Sequence, residues 1–136
     1  MKVTLDKGAK MPTKAHAADA GFDIYARECK IVPAHWATVF DTGVHIEIPF
    51  GYVGFLKSKS GLNVKHGITS EGVIDSGYTG SICVKLYNHS VVDYTVEAGD
   101  KISQLVILPI LTDTLELVDS LTETERGNNG FGSTGK

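Results

Sequence analysis

Little in this chain invites covalent cross-linking, membrane insertion or a long polyanion. Of its 136 residues only two are cysteine, Cys29 and Cys83, far apart and outside any C-x-x-C spacing. That excludes a disulfide-stapled scaffold. Both thiols stand in apolar, strand-like surroundings and are expected buried and reduced. No apolar run approaches the length that spans a bilayer, and no signal-type apolar segment occurs near Met1. A soluble, cytoplasmic protein without a membrane partner is therefore expected. Basic runs are also missing. Lys and Arg number 13 against 16 Asp and Glu, a net charge of −3, which argues against a nucleic-acid partner. A small polyanionic ligand would have to be met by local cations and backbone N–H groups. Histidines 16, 35, 45, 66 and 89 show no metal-ligand spacing, and no Ser/His/Asp nucleophile context exists.

Helix is the other scarcity: residues 58–66 are the one stretch that reads as a helical turn. What is there instead is strand. The composition, 42% hydrophobic and 21% charged, suits one globular domain, and this length buries about two thirds of the unfolded surface. Short strands are expected at 1–5, 22–26, 31–33, 36–48, 52–56, 66–70, 72–74, 81–88, 92–97, 101–111 and 115–118. In the fourth, Val44, Ile46 and Ile48 alternate with His45 and Glu47. Many short strands with frequent turns point to an all-β barrel or sandwich. Val39-Phe40 and Ile102 through Ile110 are apolar on both faces, which fits thick core packing or burial against another chain. Residues 1–121 form the expected domain. Residues 122–136, rich in Gly, Asn and Ser, form an expected flexible arm.

Five stretches carry chemistry. Gly72-Val73-Ile74-Asp75-Ser76-Gly77-Tyr78-Thr79-Gly80 runs into the alternation Ile82 to Tyr87, the pattern of a hairpin with an open turn. It places a carboxylate and an aromatic ring at the mouth of a sheet. Ser58-Lys59-Ser60-Gly61-Leu62 opens the helical turn with hydroxyls, an ammonium and free N–H groups, a small anion site. Gly99-Asp100-Lys101-Ile102-Ser103-Gln104-Leu105 puts a Gln inside an apolar run, where it must find partners. Asp19 to Ala26 is a turn entering a strand. In the tail, Arg126 and Phe131 stand among glycines and hydroxyls. Residues 130–136 match most of G-x-x-x-x-G-K, but no strand precedes them and no helix follows, so a phosphate loop is rejected. Such a tail can still fold over a nucleotide, Phe stacking on a base and Arg meeting phosphate.

In this order and spacing the five stretches resemble the motifs of the trimeric dUTPase family, over nearly the whole chain. The resemblance implies a jelly-roll homotrimer with active sites shared between subunits. It implies hydrolysis of dUTP to dUMP and pyrophosphate with Mg2+, which keeps uracil out of DNA and supplies dUMP for thymidylate synthesis. Residue by residue, Asp75 resembles the carboxylate that activates the attacking water, and Asp23 the one that holds Mg2+ through water. Tyr78 would lie against deoxyribose. Gly72, Val73, Ile74 and Cys83 would bind uracil through backbone groups, with Thr69 beside them. Lys59, Ser60, Gly61 and Gln104 match phosphate-binding positions. From the tail, Arg126 would bind phosphate, Phe131 would cover uracil, and Gly132, Ser133 and Thr134 would close over the γ-phosphate. Lys59 stands where the family usually has Arg, and Gly77 where an Asp is common. A dCTP deaminase-like relative, with Glu71 as proton-transfer acid, and a nucleotide-gated regulatory protein with a protein partner are the alternatives.

Overall fold

The computed structural model describes residues 1–130. Ten strands and one short helix follow in the order β1 (Val3–Leu5), β2 (Gly21–Tyr25), β3 (Lys30–Val32), β4 (Ala37–Asp41), β5 (Val44–Ile46), β6 (Tyr52–Lys57), α1 (Ser60–His66), β7 (Ile68–Ile74), β8 (Cys83–Asn88), β9 (Tyr94–Val96) and β10 (Lys101–Pro109). Six of them form one antiparallel sheet in the order β2-β10-β6-β7-β8-β4, and β1-β5 and β3-β9 form two small two-stranded sheets. Strand alternation sends one phase inward. Ile24, Val32, Phe40, Val44, Leu56, Ile82, Val84, Leu86, Ile102 and Leu105 are fully buried and make one core. Each inward branched or aromatic side chain contributes about 1.5–3 kcal/mol by leaving water.

Turn chemistry sets where strands stop. Thr42-Gly43 divides β4 from β5, with Gly43 at φ +65°. The helix ends at Gly67, whose φ of +66° lets its N–H close on the carbonyls of Asn63 and Leu62. Lys65 and His66 in the last turn complement the helix dipole.

Four expectations need correction. The strand expected at 36–48 is two strands in different sheets, β4 and β5, parted at Thr42-Gly43. Strands at 66–70 and 72–74 are a single strand, β7. Gly72 lies inside it because a Cβ there would meet Leu56 Cδ1 at 3.1 Å. Residues 115–118 form no strand; Leu115 and Leu117 are fully exposed, with nothing among the described residues to pack on. The cysteines are free thiols as expected, yet both are exposed, not buried. Cys83 falls on the outward phase of β8, between buried Ile82 and Val84. Apolar side chains also stay uncovered on the outer strands: Val39 is 49% and Leu108 45% exposed. Among the described residues no helix is long and apolar enough to cross a membrane.

Candidate active site

Strands β7 and β8 pair only at Ile68↔Asn88, Thr69↔Tyr87 and Ser70↔Leu86. Beyond those rungs the hairpin parts. Glu71 to Ile74 pair outward with Lys57 to Gly54 of β6. Cys83 to Lys85 pair outward with Asp41 to Val39 of β4. Ile82 is pulled further aside: its N–H donates to the Val44 carbonyl at 2.9 Å, and its carbonyl accepts from the Thr42 hydroxyl at 2.7 Å. Two strand edges therefore face each other without a ladder, each offering main-chain donors and acceptors that require partners. Thr69, bonded to His89 Nε2 at 2.8 Å, borders this opening.

Asp75 follows the last residue of β7 and is exposed. Its carbonyl accepts from the Tyr78 N–H at 3.2 Å, closing a tight turn. Gly77 sits at φ +87°, a left-handed conformation that glycine adopts without strain. Tyr78 donates its hydroxyl to the Ser81 carbonyl at 3.0 Å and lies across Gly80, where a Cβ would come within 2.6 Å of the ring. Carboxylate and ring thus lie on the one loop that joins the two edges, the ring held by Ser81.

A second group gathers at the other end of the sheet. Asp23 on β2 is paired in register with Gln104 on β10, and Gln104 with Lys57 at the end of β6. Gln104 Nε2 donates to the Ser58 carbonyl at 3.2 Å. Asp23, only 6% exposed, accepts from Lys59 Nζ on one oxygen and from Lys101 Nζ at 2.7 Å on the other. Burial pushes its carboxyl up, but hydrogen bonds from Lys101 and Lys59, and their charges, outweigh that and hold it below the ordinary range. Lys101 was not singled out from the sequence. Positions 101 and 104 should face opposite sides of a strand, but a bulge between Lys101 and Ser103 resets the alternation and turns Lys101 toward Asp23. The Ser58 hydroxyl does not point to a ligand: it donates to the Ser70 carbonyl at 3.1 Å and accepts from the Ser70 N–H at 2.9 Å. Ser70 Oγ bonds Ser103 Oγ at 2.9 Å, and Ser103 donates to the Lys57 carbonyl at 3.1 Å. This buried triad pins the strand end from which Lys59, Ser60 and Gly61 project.

The two groups do not meet within one chain. Ile74, just before Asp75, pairs with Gly54, whereas Gln104 pairs with Lys57 and Lys59 lies beyond it. Three strand steps separate Gly54 from Lys57 and Asp75 lies one step further, roughly 13 Å in all. Arg126 Nε donates to the Asn129 carbonyl at 3.1 Å. Phe131, Gly132, Ser133 and Thr134 lie outside the described residues.

Fold and site together define a β-sheet protein with an edge-lined opening in its sheet and a separate corner where Lys59 and Lys101 meet Asp23. The chain belongs to the dUTPase family. The family model described as dUTPase matches residues 7–135. A deoxyuridine 5'-triphosphate nucleotidohydrolase of Kluyveromyces lactis is 44% identical over 130 residues, covering 94% of this chain and 88% of that protein. That of Saccharomyces cerevisiae is 43% identical over 129 residues, covering 93% and 88%. Among solved structures, a Staphylococcus bacteriophage 80alpha dUTPase with dUPNHPP superposes with a TM-score of 0.94 at 33% identity, covering 99% of this chain and 98% of that one. A phage phi11 dUTPase mutant, described with a structural Mg(II) ion, superposes at 0.82 with 31% identity, covering 88% and 96%. The jelly-roll architecture expected from the sequence stands with these.

Proposed function

We propose that the opening between β7 and β8 seats the uracil and deoxyribose of dUTP, and that Asp75 at its mouth drives water onto the α-phosphorus. The products are dUMP and pyrophosphate. The parted ladder is the observation that carries this reading. Unpaired main-chain N–H and C=O groups on two facing edges can bond uracil as a complementary base would. A wrong base would leave buried polar groups unmet, which discriminates strongly. Tyr78, bonded to the Ser81 carbonyl and lying across Gly80, would then lie against the deoxyribose and leave no room for a 2′-hydroxyl. Asp75 has the reach and exposure to orient a water and take its proton.

The phosphates belong to the other group: Lys59, Ser60, Gly61 and Gln104. Because these lie roughly 13 Å along the sheet from Asp75, a complete site needs the loop of one copy beside the corner of another. The uncovered outer faces of Val39 and Leu108 support that assembly, a homotrimer. Residues 122–136 would reach across as a closing arm, Arg126 toward phosphate and Phe131 toward uracil, shutting out bulk water. The donor set at Asp23 fits Mg2+: a hard carboxylate oxygen, kept ionised by Lys59 and Lys101. Among the described residues no three potential ligands cluster, so Asp23 would hold the ion through water, with phosphate oxygens as its other ligands. When bound, the ion neutralises charge on the triphosphate. Glu71, the acid a deaminase would need, is exposed and paired with Lys57 at 3.1 Å.

Pyrophosphate release from dUTP, dCTP, dTTP and UTP in parallel tests the substrate. Asp75→Asn should lower turnover by about 10²–10⁴-fold while still binding dUPNHPP; undiminished turnover would refute the role of Asp75. Truncation after Glu125 should cripple turnover and keep the fold; a fully active truncation removes the arm from the reaction. Mixing Asp75→Asn with Gln104→Ala protomers should restore part of the activity that each lacks. No restoration, or a particle of one times 14.6 kDa in solution, would refute the shared site.

A further inference from the structure

The loop from Asp75 to Ser81 contains two glycines and is bonded internally by little more than its own turn. Its outer end is gripped from below. The Ser81 hydroxyl donates to Asp41 Oδ1. Asp41 Oδ2 accepts from Arg27 Nη2 at 2.7 Å, and Arg27 Nη1 donates to Asp6 Oδ2 at 3.2 Å. The other Asp6 oxygen faces His45 Nε2 at 3.3 Å, and His45 Nδ1 meets the Thr79 carbonyl at 2.8 Å. Thr79 and Ser81 are two residues apart, so the chain of bonds returns to the loop it left and closes a ring. Four separate parts of the fold supply it: the ends of β1, β2 and β4, and β5. Gly43 is shaped to it. A Cβ there would meet Arg27 Nη1 at 2.7 Å, and its N–H donates to Asp41 at 3.1 Å and to the Ser81 hydroxyl at 3.0 Å.

Such a ring is more than its members need for stability. Its side chains are roughly a quarter to a half exposed, so each ion pair alone contributes little. What the ring does is geometric. It clamps Thr79 and Ser81, and the Ser81 carbonyl in turn holds the Tyr78 hydroxyl. We infer that Arg27, Asp41 and His45 are positioning residues of the reaction, holding the Tyr78 loop at the spacing that admits deoxyribose and rejects ribose. This rests on the reading of Asp75 and Tyr78 given above.

The ring has one titratable link. Nδ1–H of His45 can serve Thr79 at any pH, but Nε2 bonds the Asp6 carboxylate only when protonated. The groups facing this imidazole are the Thr79 carbonyl and the carboxylates of Asp6 and Asp41; Lys2 and Glu47 line the same shallow cleft. The Thr79 carbonyl first, then Asp6, raise the His45 pKa above its ordinary value, against partial desolvation. The ring is closed below that value and loses its His45–Asp6 link above it.

The test is kcat and KM for dUTP and UTP, on the full chain, from about pH 6 to about pH 9, for wild type, Arg27→Met, Arg27→Lys and His45→Gln. Arg27→Met should lower the dUTP-over-UTP ratio of kcat/KM roughly tenfold to a hundredfold. Arg27→Lys, which can reach one carboxylate but not fork between two, should fall between. In wild type the ratio should decline as pH rises through the raised His45 value; in His45→Gln it should be flat. An active wild type whose ratio ignores both Arg27→Met and His45→Gln overturns the inference alone. A wild type inert toward dUTP overturns the reading of the site, and the inference with it. Should Arg27→Met fail to fold, His45→Gln, at a partly exposed link, decides by itself.

Discussion

Lys59, between the end of β6 and the start of α1, donates to the carboxylate of Asp23 on β2. Lys101 holds the second oxygen. Two positive charges around one negative leave a surplus that favours a polyanion in a chain of net charge −3. A triphosphate that draws Lys59 away leaves Asp23 still ionised by Lys101. Lys59→Ala should therefore weaken dUPNHPP binding about tenfold or more, the worth of one charge-assisted contact, and lower the melting temperature, because one oxygen of the buried Asp23 carboxylate loses its partner. Calorimetric titration checks the first and thermal unfolding the second.

Acid should unfold this protein from two identifiable places. Asp23 and Asp41 both titrate below the ordinary 3.8 in the folded state. For Asp41 the Ser81 hydroxyl and the Gly43 N–H are the main causes, with burial opposing. In the unfolded chain both bind protons more readily, so their stabilisation is present above about pH 4 and is lost as pH falls through the folded values. Urea unfolding at pH 7 and near pH 3.5 should show the loss, and Asp41→Asn should reduce it. His45 runs the other way: its pKa is raised, so its contribution is present below about 6.5 and fades as pH rises through the folded value.

Ser103 is fully buried and joins Ser70 to the Lys57 carbonyl. Ser103→Ala leaves those polar atoms short of partners, and should cost about 1–3 kcal/mol of stability in denaturant unfolding. The damage should also loosen the Lys59 loop, read as a higher KM for dUTP.

Gly80→Ala places a methyl group against the Tyr78 ring. That ring is 46% exposed and can move without disturbing the core. The variant should melt within a few degrees of wild type. It should hydrolyse UTP better relative to dUTP, which parallel kinetics would show.

Much of this was legible in the sequence because alternation is a strong signal. Val44 and Ile46 turn inward and His45 outward as their spacing requires. The open hairpin was readable from Gly77, Gly80 and the strand after them. What was not legible depended on phase or distance. Cys83 has a residue type suited to burial but sits on the outward phase of β8. Lys101 reaches Asp23 only because a bulge breaks the period on which strand reading depends. The ring joining Arg27, Asp41 and His45 to the Tyr78 loop spans long sequence separations and has no local pattern. Leu115 to Val118 have a strand's composition without a strand's neighbour.

The parted ladder also bears on how this enzyme could change. If the base is read by main-chain atoms of residues 71–74 and 83–85, no single codon change there rewrites the readout. The outward positions 71, 73, 83 and 85 can change side chain as long as they stay extended, whereas Ile74 and Val84 are held by the core and Gly72 by its closeness to Leu56. Converting the enzyme to another pyrimidine would demand that a strand slide in register, a shift that would also turn its buried residues outward. Base choice is thereby protected by the same constraint that keeps the core intact.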